Sequence, residues 1–165
     1  MTEAAAASLP DSQRLTRIEL PDNAPLPSPY AEADRSQAVA DLLMANCFDP
    51  LDLPRGPYVL HLCVREGRLV FDIRDVTGTP LHALALALGP FRRLIKDYHM
   101  VVESHERALT AGASDATVQT IDMGRRGLHN EGAELLMRRL AGRVRLDFET
   151  ARRLFTLVCA LHQRI

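Results

Sequence analysis

Tyr58-Val59-Leu60-His61-Leu62-Cys63-Val64-Arg65-Glu66-Gly67-Arg68-Leu69-Val70-Phe71-Asp72-Ile73-Arg74-Asp75 alternates apolar and polar side chains on either side of a two-residue break. A period of two sends successive side chains to opposite faces of a strand. The stretch therefore predicts strands over residues 58–64 and 68–75, folded back on one another at Glu66-Gly67. Glycine in second place suits a type I′ turn, in which both central residues take positive φ. Such a loop pairs residues whose numbers sum to 133, setting Leu60 opposite Ile73, Leu62 opposite Phe71 and Val64 opposite Leu69. These pairs are all apolar and share one face, so the register and the hydrophobic pattern agree. On the other face His61 meets Asp72 and Val59 meets Arg74.

Outward from the hairpin, residues 81–88 predict a further strand after the Thr77-Gly78-Thr79-Pro80 turn, and the alternation over residues 14–20 predicts a first one. Pro21, Pro25, Pro27 and Pro29 punctuate a loop, after which residues 30–47 predict a helix burying Val39, Leu42 and Leu43. Gly89-Pro90 opens a second helix to about residue 109, with Phe91, Leu94, Ile95, Tyr98, Val101, Val102 and Leu109 as its inner stripe. Ser114 or Asp115 caps a third, and Asp147 caps a last one whose stripe is Ala151, Leu154, Leu157, Val158 and Leu161. The expected class is α+β: a small four-stranded, mainly antiparallel sheet with helices packed on one face. Residues 1–13, rich in Ala, Ser and acids, predict a disordered N-terminal arm, and residues 14–165 a single domain.

Composition narrows the function classes. The formal net charge is −1, so no global field draws the chain to nucleic acid or anionic lipid. Residues 122–165 nonetheless carry nine basic and five acidic groups, and an anionic partner is sought there. There is no Trp, which argues against a base-stacking platform. Cys47, Cys63 and Cys159 are far apart and lack C-x-x-C spacing, which suits buried apolar roles in a reducing compartment. No stretch has the apolar length of a membrane span or a signal peptide, so a cytoplasmic location is expected. No phosphate-loop, dinucleotide or hydrolase motif is present, and no cofactor is expected. His99 and Glu103 share a helix face without a third ligand at fitting spacing, so no metal is expected either.

The most unusual segment is Ile121-Asp122-Met123-Gly124-Arg125-Arg126-Gly127-Leu128-His129-Asn130-Glu131-Gly132. Each glycine costs a helix about 1 kcal/mol relative to alanine. Yet at about 100° per residue Ile121, Gly124, Leu128, Gly132 and Leu135 fall in one stripe, so the glycines can serve close packing. One long helix over residues 115–140 is therefore expected; the rival reading breaks it at Gly127. Asp122, Arg125, Arg126 and His129 share a flank beside that stripe, with Asn130 next to it. Two guanidiniums, an imidazole and an orienting acid can bind a phosphate or carboxylate. Equally, they can form intrahelical ion pairs that anchor neighbouring loops.

Gly67-Arg68-Leu69-Val70-Phe71-Asp72-Ile73, the segment from Ile121 to Gly132, and Asp147-Phe148-Glu149-Thr150-Ala151-Arg152-Arg153-Leu154-Phe155-Thr156-Leu157-Val158-Cys159 together resemble the bacterial uncharacterised protein family 0262, typical of alphaproteobacteria. The resemblance implies a stand-alone cytoplasmic protein, and it brings no activity and no catalytic residue with it. The leading expectation is a non-catalytic binding or regulatory protein, recognising an anionic ligand or a protein or RNA partner through the Arg125, Arg126, His129 flank. The alternative is a small enzyme on a phosphate- or carboxylate-bearing substrate, with His129 as general acid or base. A deep pocket containing His129 favours the second, a flat or convex arginine surface the first. Self-association into a homo-oligomer is compatible with both.

Overall fold

The computed structural model describes residues 11–21 and 28–161. Among them the elements run β1 (Leu15–Glu19), α1 (Pro29–Met44), β2 (Phe48–Pro50), β3 (Tyr58–Arg65), β4 (Arg68–Arg74), β5 (Pro80–Ala87), α2 (Arg92–Thr110), α3 (Asp115–Leu140), β6 (Val144–Leu146) and α4 (Phe148–Leu161). The β3–β4 pair has the predicted register, with Leu60 opposite Ile73, Leu62 opposite Phe71 and His61 opposite Asp72. Glu66 and Gly67 take φ of 51° and 72°, the geometry of a type I′ turn.

The main sheet has the order β1-β3-β4-β5, and the fold is α+β. It is mixed rather than wholly antiparallel, because β1 lies parallel to β3. The reason is connectivity: α1 carries the chain back between the two strands, as a parallel pairing requires. Leu60, Leu62, Leu69, Phe71 and Ile73 are fully buried under the helices, whereas His61, Cys63, Val70 and Asp72 on the opposite face are only half-buried. A second, two-stranded sheet pairs β2 with β6, Phe48 opposite Leu146 and Pro50 opposite Val144. Strands of three residues are too short for an alternation to announce them.

The helices start where side-chain oxygens can cap them. Ser28 Oγ accepts from Ala31 N–H (3.1 Å), Ser114 Oγ from Thr117 N–H (3.3 Å) and Asp147 Oδ1 from Thr150 N–H (3.1 Å). α1 ends at Met44, earlier than expected, and buries Ala31, Ala38 and Leu42, while Leu43 faces outward. Asn46, just past its end, is buried and ties β1 down: its Oδ1 accepts from Leu15 N–H (2.7 Å) and its Nδ2 donates to Leu15 O (2.9 Å). On α2 the expected stripe is buried at Phe91, Leu94, Ile95, Tyr98 and Val102, but Val101 is only half-buried and Leu109 is exposed. α4 is the central helix, packed on α1 and α3, with nine of its fourteen residues buried. Residues 1–10 of the expected arm lie outside the described residues, whereas Asp11–Gln13 form a 3-10 turn and Ser12 O accepts from Gly56 N–H.

Candidate functional site

α3 runs unbroken from Asp115 to Leu140, through Gly124 and Gly127. Its two halves differ. Gly132, Ala133, Leu136 and Leu140 pack into the core, and Gly132 meets the Phe155 ring of α4 so closely that a Cβ would fall within it. Gly124 and Gly127 face open space instead. The expected packing stripe therefore holds at Gly132 and fails at Gly124, because α4 covers only the C-terminal half of the helix.

The flank of α3 opens onto a cleft of about 370 Å³ between α1, α3 and α4, lined in part by Asp34, Asp41, Arg125, Arg126, His129, Arg152, Arg153 and Thr156. Asp34 of α1 is its hub. One carboxylate oxygen accepts from Tyr98 Oη of α2 at 2.5 Å, and the other from Arg125 Nη1 at 3.1 Å. Asp122 accepts from Arg125 Nε (2.8 Å) and from Tyr30 Oη (3.3 Å), and it faces Arg126 Nε at 3.3 Å. Arg125 is thus held by two carboxylates and lies near the Tyr30 ring, 5.9 Å from its centroid. Burial works against the charge of Arg125, but Asp122 and Asp34 outweigh it and raise its pKa. For Asp122, burial opposes ionisation, but Arg125 and Arg126 still hold it below the ordinary carboxylate range. Burial, reinforced by Asp34, pushes the Tyr98 hydroxyl far up, so it remains a proton donor to that carboxylate.

His129 is 2% exposed, stacked on Tyr98 with ring centroids 5.4 Å apart and set edge-on to Phe155. Burial pulls its pKa from 6.5 to about 4, against the attraction of Asp34. The ring is therefore neutral at physiological pH, and its 3.6 Å approach to Asp34 is not an ion pair. Thr156 Oγ1 donates to the Arg152 carbonyl (3.2 Å) and so acts as acceptor toward His129 Nε2 (3.4 Å). With Asp34 on the same side, this assigns the ring proton to Nε2.

An unfolded chain binds the His129 proton below about pH 6.5, the folded one only below about pH 4. Stability from this residue is therefore complete above pH 6.5 and is lost as the pH falls toward 4. The full difference is about 3 kcal/mol. In urea titrations the unfolding free energy is expected to drop between about pH 7 and about pH 4.5, and to drop less in His129→Gln. Equal losses in the two proteins would show that the imidazole accepts a proton in place.

Of the five expected ligand residues, four come together and one does not. Arg125, Arg126 and His129 line the cleft, and Asp122, outside its lining, is tied to it through Arg125 and Arg126, whereas Asn130 is exposed and also outside the lining. Arg126 keeps a side chain 64% exposed. Residues far off in sequence complete the site: Asp34 on α1, Tyr98 on α2, and Arg152, Arg153 and Thr156 on α4. Arg153 meets Asp41 and Glu149 only at 3.9 and 3.8 Å, and Arg152 meets Glu149 at 3.9 Å. The buried Arg152 Nε has no hydrogen-bond partner among the described residues. The basic excess of the C-terminal quarter was the sequence signal for these two arginines.

The family model for the uncharacterised protein family UPF0262 matches residues 12–164. The chain belongs to UPF0262. A UPF0262 protein of Granulibacter bethesdensis is 61% identical over 147 residues, covering 84% of this chain and 82% of the relative. One from Acidiphilium cryptum is 58% identical, covering 83% and 84%, and one from Rhizobium meliloti 47%, covering 92% and 95%. No solved structure matches the chain. Among the described residues of this UPF0262 member, no helix is long and apolar enough to cross a membrane, and no group of three or more His, Cys, Asp and Glu could hold a metal ion.

Proposed function

We propose that this UPF0262 protein binds a small anion, a phosphate or carboxylate group, in the cleft between α1, α3 and α4, with Arg126, Arg152 and Arg153 as the contacting groups. One observation carries the reading: four guanidiniums converge on the cleft against the carboxylates Asp34 and Asp41, and those of α4 are loosely paired. Arg125 is engaged by Asp34 and Asp122 at hydrogen-bond distance and serves as the brace that holds α1 to α3. The concavity suits a small ligand better than a flat macromolecular surface does. Binding rather than catalysis is favoured because a buried His129 with a pKa near 4 is neither charged to act as a general acid nor basic enough to be an effective general base at neutral pH.

The test is a thermal-shift titration with inorganic phosphate against chloride at matched ionic strength. A millimolar Kd gives about 1.4 kcal/mol at 10 mM ligand. For a chain of this size that is a Tm rise of about 3–5 °C. The rise is expected to vanish in Arg152→Ala and Arg153→Ala. An equal rise in those variants, or none in the native protein, would remove the cleft as an anion site.

A further inference from the structure

The main sheet has two edges, and they are built differently. At the β1 edge the strand has five residues, its pairing with β3 is interrupted between Leu15 and Arg17, and Arg17 and Glu19 are charged. Asn46 takes both the N–H and the C=O of Leu15. Short length, an irregularity, charge and a cap are devices that keep an edge from pairing with another chain. β5, at the opposite edge, is longer and uncharged, and the one irregularity in its pairing with β4 falls at its start, between Ile73 and Arg74. It runs for eight residues as Pro80-Leu81-His82-Ala83-Leu84-Ala85-Leu86-Ala87, with no Lys, Arg, Asp or Glu and with proline only at its first position.

The register shows which backbone groups this edge offers. Val70 pairs with Ala85 and Asp72 with Ala83, and past the strand end Leu88 N–H donates to Gly67 O at 3.2 Å. In an antiparallel ladder, hydrogen-bonded and non-hydrogen-bonded pairs alternate. Leu84 and Leu86 therefore bond to β4, while Ala83, Ala85 and Ala87 turn N–H and C=O away from the sheet. No described strand pairs with that edge. Beside it lies a groove of about 560 Å³ whose far wall is Leu51–Leu53 and Gly142–Arg143.

We propose that β5 pairs with β5 of a second copy of this chain, antiparallel about a two-fold axis through Ala85, joining two four-stranded sheets into one. The pattern is its own complement. With Ala85 opposite Ala85 of the other copy, Ala83 falls opposite Ala87, and the outward-facing groups meet as hydrogen-bonded pairs, about six bonds in all. Leu84 falls opposite Leu86 on the helix side. The alanines of the other side leave both backbones accessible, and no like charges meet across the junction. The groove wall supplies charge complementarity: Asp52 and Arg143 make no ion pair with described residues, and a two-fold copy presents the same acid and base in reverse order. A peptide from another protein would need pockets for its own side chains, whereas the same strand needs only its own register.

Sedimentation velocity from about 1 to about 200 µM tests the junction, with a ten-fold or larger rise in the dimer Kd as the expected effect of a broken edge. The native chain is expected to pass from 18.3 kDa monomer to a species of twice that mass. Ala85→Lys sets two ammonium groups against each other at the axis. Ala85→Pro removes an N–H that makes no bond to β4. Both should sediment as monomers with unchanged far-ultraviolet circular dichroism. A native monomer throughout the range overturns the proposal, including one that captures an unrelated extended peptide at β5. So does a dimer that survives in both variants while they remain folded.

Discussion

Gly132→Leu is expected to leave little or no folded protein. A Cβ at this position would lie within the ring of Phe155, which is itself fully buried on the central helix. The ring cannot swing away, because it packs in the core beside His129 and most of α4 is buried around it. Relief would require α3 and α4 to separate. That gives up the contacts of Ala133, Leu136 and Leu140 on one helix and of Leu154 and Leu157 on the other. Overpacking by a methylene or two costs about 1–3 kcal/mol where side chains can adjust. Here the backbone must move, and the cost should reach about 5 kcal/mol or more, a large share of a domain's stability. Circular dichroism and the soluble yield measure it. Gly124→Ala and Gly127→Ala are the contrast, since both sites open to empty space. Each should stabilise the protein by up to about 1 kcal/mol through helix propensity alone. A stable Gly132→Leu protein would mean that α3 and α4 do not pack as described.

Asp34→Ala is expected to be the most damaging polar substitution. Its carboxylate takes the Tyr98 hydroxyl at 2.5 Å and Arg125 Nη1 at 3.1 Å. Removing it strands a buried phenol and takes one of two counter-charges from a guanidinium whose side chain is 16% exposed. Breaking a buried pair on one side leaves the partner uncompensated and costs about 3–5 kcal/mol. Asp34→Asn keeps an acceptor for one donor and loses the charge, so it should fall about midway. Urea denaturation of the three proteins gives the order. If alanine and asparagine cost the same small amount, the hub would be a surface arrangement and the cleft would lose its rigid wall.

Where the signal was local, the chain itself announced the structure. The hairpin register follows from a two-residue turn and an apolar face that agree, and both are read within eighteen consecutive residues. The helix over residues 115–140 survives its glycines because the surrounding residues keep the helical period, and Ser114 and Asp147 cap as their type and place suggest. The grouping of Asp122, Arg125, Arg126 and His129 was likewise a matter of helical angle.

Helical angle, however, says which residues are neighbours and not which arc is covered. α4 decides that. It buries His129, which the flank reading placed beside the core, and it never reaches Gly124. The parallel pairing of β1 with β3, the β2–β6 sheet, and the meeting of Asp34 with Arg125 across 91 residues are likewise set by packing. No periodicity spans such separations. The sequence by itself determined the elements, the hairpin register and the candidate flank, because those rest on contacts between near neighbours. Only the tertiary structure decided that Asp34 is the hub, that Arg152 and Arg153 join the cleft and that His129 is buried and neutral, because burial and charge pairing depend on elements far apart in the chain.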